Sequence, residues 1–168
     1  MRYAVFPGGS RSRQILCLAP AESLGEDQPN IEEAAVGGLE HNHCASLVHD
    51  DLPCFDDAQV RRGRATTHVA FGEPIGVLTG DALIAMAFET IARAGADHPA
   101  RAGKLTLCLA RAMGHPMGIT AGQAWESEPH VAVFAYHKAK TAALFEAAFE
   151  LGAIAAGDPK PERYRVLG

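Results

Sequence analysis

The chain has 168 residues, 48% hydrophobic and 7% aromatic, enough for one ordinary core in a single domain. Lys plus Arg number 15 against 20 for Asp plus Glu, and the resulting net charge of −5 excludes a general nucleic-acid binder. Cys17, Cys44, Cys54 and Cys108 show no C-x-x-C spacing, which argues against a zinc ribbon or disulfide scaffold and for reduced thiols in the cytoplasm. Abundant alanine and few aromatics make the expected class all-α. The N-terminal apolar run breaks at Pro7, and no segment reaches membrane-spanning length without a charge, so neither a signal peptide nor a transmembrane segment is expected.

In chain order, residues 7–13 form a turn-prone basic patch, and the apolar run 15–19 predicts a short helix. Residues 27–29 read as a loop. Asn30 followed by Glu33 has the spacing of a capping box, and Ile31, Ala34, Ala35, Leu39, Leu47 and Val48 carry a broken helical stripe toward Asp50. Pro53 should end or distort that helix around residues 51–55, because it lacks an amide hydrogen and crowds the preceding turn. Residues 74–94 are apolar nearly all round, as in a buried helix, with Gly95 as a stop and Asp81 read as a cap. Further helices are predicted over Pro99–Met113, Ile119–Trp125 and 133–156, followed by a charged tail over 160–168.

The chemistry concentrates between residues 49 and 63. Two acidic pairs, Asp50/Asp51 and Asp56/Asp57, repel unless a cation relieves them, and hard oxygen ligands suit Mg2+ better than zinc. Arg61 and Arg62 follow at once. Either cluster alone would read as solvated surface, but carboxylates beside guanidinium groups fit metal ions that bridge to a diphosphate whose other oxygens the arginines grip. On an unbroken helix Asp57 would share a face with Asp50 and Asp56 would not, yet Pro53 interrupts the periodicity and leaves both open.

These residues resemble the trans-isoprenyl diphosphate synthases, the farnesyl and geranylgeranyl diphosphate synthase family. The likeness runs through His49-Asp50-Asp51-Leu-Pro-Cys-Phe-Asp56-Asp57, Arg61-Arg62-Gly63, His68-Val-Ala-Phe-Gly, Thr79-Gly80-Asp81, Gly122-Gln123 and Lys140-Thr141, in family order over almost the whole chain. It implies a partial isoprenoid-synthase-type helical bundle that condenses isopentenyl diphosphate with an allylic diphosphate. By the same resemblance Asp50, Asp51 and Asp56 bind magnesium, and Arg61 and Lys140 join them on the allylic diphosphate. Gln123 and Thr141 are secondary members of that site, whereas Arg13, His43 and Arg62 grip isopentenyl diphosphate. Small residues at Ala45 and Ser46, with the Pro53-Cys54 expansion between the acidic pairs, imply a geranylgeranyl-type product. A homodimer or partner subunit is also implied.

Three departures from the family pattern stand out. No second Asp-Asp pair follows Asp57, so residues 1–168 read as a single truncated domain lacking the C-terminal helices that carry the second aspartate-rich motif. Binding should survive that loss better than turnover, which leaves a non-catalytic partner or remnant as the alternative. Ser10 stands where the family has a lysine, with Arg11 as the available substitute. His41 and Asn42 place polar groups in a usually apolar stretch, which is costly if they are buried without partners. A metal-dependent phosphohydrolase built on His43, His49 and Asp50 is a further alternative.

Overall fold

The computed structural model describes residues 1–6, 8–25 and 28–168; Pro7 and Asp27, which open the expected basic turn and the 27–29 loop, lie outside them. The helices in chain order are α1 (Arg2–Val5), α2 (Ser12–Leu24), α3 (Pro29–Asp50), α4 (Thr67–Phe71), α5 (Glu73–Ala94), α6 (Pro99–Met113), α7 (Ile119–Trp125), α8 (Val133–His137) and α9 (Ala143–Ala155). A two-residue antiparallel ribbon, β1 (Val60–Arg61) and β2 (Arg64–Ala65), is the sole sheet among the described residues, in keeping with the all-α expectation.

Helix α3 is the central member and packs against α2, α5, α6 and α9. Its small residues allow close approach: a Cβ on Gly38 would lie 3.0 Å from Ile91 Cδ1 and 3.2 Å from the Ala87 carbonyl oxygen of α5. Ile31, Ala35 and Leu39 on α3 meet Ala87 and Ile91 on α5, Leu105 and Leu109 on α6, and Leu144 and Leu151 on α9 in one apolar core. Helix α2 crosses α9 so tightly that a Cβ on Gly152 would overlap the Cys17 carbonyl oxygen.

Several expectations need correction. The capping box does not form, because Pro29 opens α3 and the N-cap is Gln28, without a side-chain cap bond. Helix α5 is not buried all round. Its inner stripe is Gly76, Thr79, Gly80, Leu83, Ala87 and Ile91, while Ile75, Val77, Leu78 and Met86, outside that stripe, are exposed. By length and composition alone Glu73–Asp97 is apolar enough to cross a membrane, with 33% of its most apolar window buried, although Asp81, Glu89 and Arg93 interrupt it with charge. Asp81 lies in the interior of α5 rather than at its end, so it caps nothing.

The last long helix is interrupted by a π turn, Lys138–Ala142, between α8 and α9. Residues 160–168 are not a free tail: Pro161–Leu167 forms a 3-10 helix folded against α9, with Arg165 3.5 Å from Glu146 and 3.4 Å from Glu150.

Two substitutions check this packing. Gly152→Ala places a methyl group against backbone that cannot move aside, and should lower the urea unfolding free energy by about 2 kcal/mol or more. Asn42 is fully buried and neither amide atom has a hydrogen-bond partner. Asn42→Leu, of similar shape, should therefore raise that free energy by about 1–3 kcal/mol.

Candidate active site

Helix α3 ends at Asp50, and the chain then coils back beneath it. The Asp56 amide donates to the Asp50 carbonyl at 3.0 Å, the Asp57 amide to Leu52 at 3.1 Å and the Ala58 amide to Asp51 at 3.2 Å. This coil brings Asp56 to Asp50. Asp57 takes a left-handed φ of 46°, which turns its carboxylate toward Gln59 and to 3.8 Å from His68. The expected end of the helix near Pro53 is thus observed, and it is the coil, not helical phase, that chooses between Asp56 and Asp57.

The ribbon that follows supplies the first cation. Arg62 and Gly63, with φ of 52° and 75°, make the two-residue turn between β1 and β2, both residues in the left-handed region that such hairpins require. Arg61 on β1 donates through Nε to Asp51 Oδ1 at 2.7 Å, and its terminal nitrogen lies 2.6 Å from the same oxygen and 3.4 Å from Asp50. Asp51 is buried, so its charge is matched by Arg61 rather than by water.

The second cation arrives from the π turn. A Cβ on Gly122 of α7 would stand 2.5 Å from the Lys140 backbone nitrogen, so only glycine lets the π turn seat against α7. That seating, with the extra residue of the π turn, directs Lys140 inward, where Nζ lies 3.3 Å from Asp50 and 2.6 Å from Glu126. Thr141, the next residue, is exposed.

Glu126 was not anticipated from the sequence. It caps α7, accepts hydrogen bonds from Lys140 and the Tyr136 hydroxyl, and has Gln123 beside it as a further hydrogen-bond partner. Its carboxylate and those of Asp50 and Asp56 all lie within 4.8 Å of one another. The spacing Gln123-x-x-Glu126, which puts both residues at one helix end, was the available signal.

Burial and the neighbouring Asp50 carboxylate hold Asp56 above its ordinary value. Glu126 is held below its own, because the bonds from Lys140 and Tyr136 outweigh the upward effect of burial. Partial burial works to lower Lys140, but Glu126 and Asp50 prevail and raise it. Three converging carboxylates with two of them exposed form an all-oxygen donor set that leaves room for water and phosphate, as Mg2+ demands. Asp51, turned to Arg61, stands beside this set rather than in it.

A separate group of cations surrounds His43. Arg13, in the first turn of α2, lies 3.3 Å from His43 Nε2 and stacks 4.2 Å from the centre of the Phe145 ring. Its Nε is buried without a hydrogen-bond partner. Arg62 donates to the Gly8 carbonyl and approaches Gly9 so closely that a Cβ there would stand 2.5 Å from the guanidinium carbon. Burial, then Arg13, Arg62, Arg61 and Arg11 in turn, push His43 down to about 3. A neutral imidazole amid arginines marks a positive field suited to an anion. Arg11, the candidate substitute at the Ser10 position, is bound to the buried Glu40. His43 lies with these cations, and His49 turns toward Val77 and Asp81, so the mixed histidine and aspartate metal set is not assembled.

His43 gives a pH test. Its imidazole is neutral in the folded protein down to about pH 3, against an ordinary value of 6.5, so between these limits the unfolded chain binds a proton that the folded chain does not. Stability from this source is complete above pH 6.5 and falls as pH drops through the window. His43→Gln should therefore flatten the decline of Tm between about pH 6 and 4, measured by circular dichroism.

The polyprenyl synthetase family profile matches residues 1–167. The geranylgeranyl diphosphate synthase of Cereibacter sphaeroides is 59% identical over 155 residues, which cover 92% of this chain and 54% of that protein. The crystal structure of a Helicobacter pylori geranyltransferase complexed with magnesium and isoprenyl diphosphate superposes with a TM-score of 0.88 at 32% identity, over 99% of this chain and 58% of that one. An apo FPP/GFPP synthase from Zymomonas mobilis gives 0.87 at 33% identity, over 98% and 62%. The chain spans about half the length of the curated relatives it matches. With profile, relatives and fold in agreement, the chain belongs to the polyprenyl synthetase family.

Proposed function

We propose that this chain carries the allylic and isopentenyl diphosphate sites of a geranylgeranyl-type isoprenyl diphosphate synthase. The observation that carries this reading is the meeting of Asp50, Asp56 and Glu126 with Arg61 and Lys140 at one point. Magnesium, when bound, neutralises the diphosphate and makes it a better leaving group. Asp50 and Asp56, with Asp51 adjoining and Glu126 opposite, would hold it. Arg61 and Lys140 then grip the diphosphate oxygens and stabilise the negative charge that grows as the allylic bond breaks. Arg13, His43 and Arg62 hold isopentenyl diphosphate. A neutral His43 donates a hydrogen bond without adding a further positive charge to a group of arginines. Gln123 holds Glu126, and Thr141 borders the allylic diphosphate.

Residues 1–168 carry one acidic wall of the site, since no second Asp-Asp pair occurs after Asp57. On these residues alone, diphosphate binding should survive better than turnover. The exposed Ile75, Leu78 and Met86 of α5 form an apolar face suited to a second copy of the chain, and the free cysteines suit the cytoplasm.

The test incubates purified chain with Mg2+, isopentenyl diphosphate and allylic diphosphates of increasing length, and measures both bound ligand and elongated product. Farnesyl diphosphate should be retained only with Mg2+, retention should be lost in Asp50→Ala, and any product should be geranylgeranyl diphosphate. Failure to retain any allylic diphosphate would refute the reading. Rapid elongation by the chain alone would refute the claim that one wall is insufficient.

A further inference from the structure

The residues flanking the acidic coil are seated on α5 in an unusual way. His49, immediately before Asp50, lays its ring over Gly80, where a Cβ would overlap Nε2 and Cδ2. Its Nε2 lies 3.2 Å from the Val77 carbonyl oxygen and 3.5 Å from Asp81 Oδ1. A carbonyl oxygen only accepts, so Nε2 carries the hydrogen and donates it to α5. One turn earlier on the same stripe, Gly76 receives Leu52 and His68, whose nearest side-chain atoms would stand 3.0 and 3.1 Å from a Cβ. His68 is buried, and its Nδ1 is 3.1 Å from Thr66 Oγ1, which itself donates to the Ala58 carbonyl. The coil of residues 51–58 is thus fastened to α5 at both ends.

We propose that His49 is a positioning residue: seated on Gly80 and bonded to Val77, it fixes the end of α3 and so aims Asp50 at the point shared with Asp56 and Glu126. The side chain bonds to Val77 and faces Asp81, both on α5. It acts through the backbone it anchors, since the Leu52 amide bonds the His49 carbonyl at 3.0 Å and the Asp56 amide bonds that of Asp50. Asp81, exposed on α5, lends its negative charge to the same imidazole edge. The glycine at position 80 is required by the ring rather than by the helix, because its backbone is helical and alanine would favour that conformation. The consequence for ligand affinity rests on the function proposed above, whereas the seating of the coil does not.

The test compares the full chain with Gly80→Ala, His49→Leu and His49→Gln. Alanine at 80 meets only the movable tip of a side chain, so the fold and Tm should be retained while the ring is displaced. Amide hydrogen exchange at residues 51–58 should accelerate about 10-fold or more in Gly80→Ala and His49→Leu, with α3 upstream unchanged. His49→Gln, whose Nε2 can reach the same carbonyl, should restore protection. Unchanged exchange, or acceleration spread evenly over the molecule, would overturn the proposal. With Mg2+ and inorganic pyrophosphate as probe, calorimetry should show affinity about 10-fold weaker in the two disruptive variants, the scale of losing an outer partner of a metal ligand. If the unaltered chain fails to bind the probe, the function is refuted while the exchange data still decide the role of His49.

Discussion

Carboxylates held within 4.8 Å of one another repel, by about 1 kcal/mol per pair in water and roughly 3 kcal/mol in partly dry surroundings. The arrangement at Asp50, Asp51, Asp56 and Glu126 persists because two cations come from elements far apart in the chain. Arg61 neutralises Asp51 and reaches Asp50; Lys140 bridges Asp50 to Glu126. Much of the local architecture serves that balance. The ribbon turn places Arg61, the π turn places Lys140, and the coil after α3 returns Asp56 to Asp50. In the function proposed above, a diphosphate with its metal would supply the same charges in another form, so that the cations could turn from carboxylate to phosphate without leaving any group unmatched.

Close approach of backbone does the positioning. Gly38 lets α3 lie against α5, Gly152 lets α2 cross α9, Gly122 admits the π turn, and Gly80 admits the His49 ring. The apolar core composed of Ile31, Leu39, Ile91, Leu109 and Leu151 holds these helices rigidly enough for such contacts to fix side chains at the rim. Asn42 runs against this order. Its unpartnered amide weakens the core beside the site, and it is the polar departure from the apolar pattern that the sequence already made suspect.

Helix existence was legible because apolar periodicity and Gly/Pro stops are local: α6 and α7 lie where those signals place them, and α3 ends where Pro53 demands. Exposure was less legible. Apolar content alone made α5 look buried all round, whereas only the stripe of Gly76, Thr79, Gly80, Leu83, Ala87 and Ile91 is buried. The acidic and basic residues announced themselves by clustering along the chain. Glu126 did not, because its partners Asp50 and Lys140 lie 76 residues before and 14 residues after it, and its one local mark is the spacing from Gln123. The π turn was equally hidden, since an inserted residue leaves no mark on an alanine-rich helix. His49 was visible as part of a motif, but its seat on Gly80 required the contact of α3 with α5.

The central claim is that the three carboxylates form a metal site whose cations are shared with diphosphate. The most direct measurement is a crystal structure of the chain with Mg2+ and pyrophosphate. The expected result has oxygens of Asp50, Asp56 and Glu126 within about 2.1 Å of bound metal, and Lys140 moved from Glu126 to a phosphate oxygen. Density for pyrophosphate elsewhere, with Lys140 still bound to Asp50 and Glu126 and no metal among the carboxylates, would contradict it.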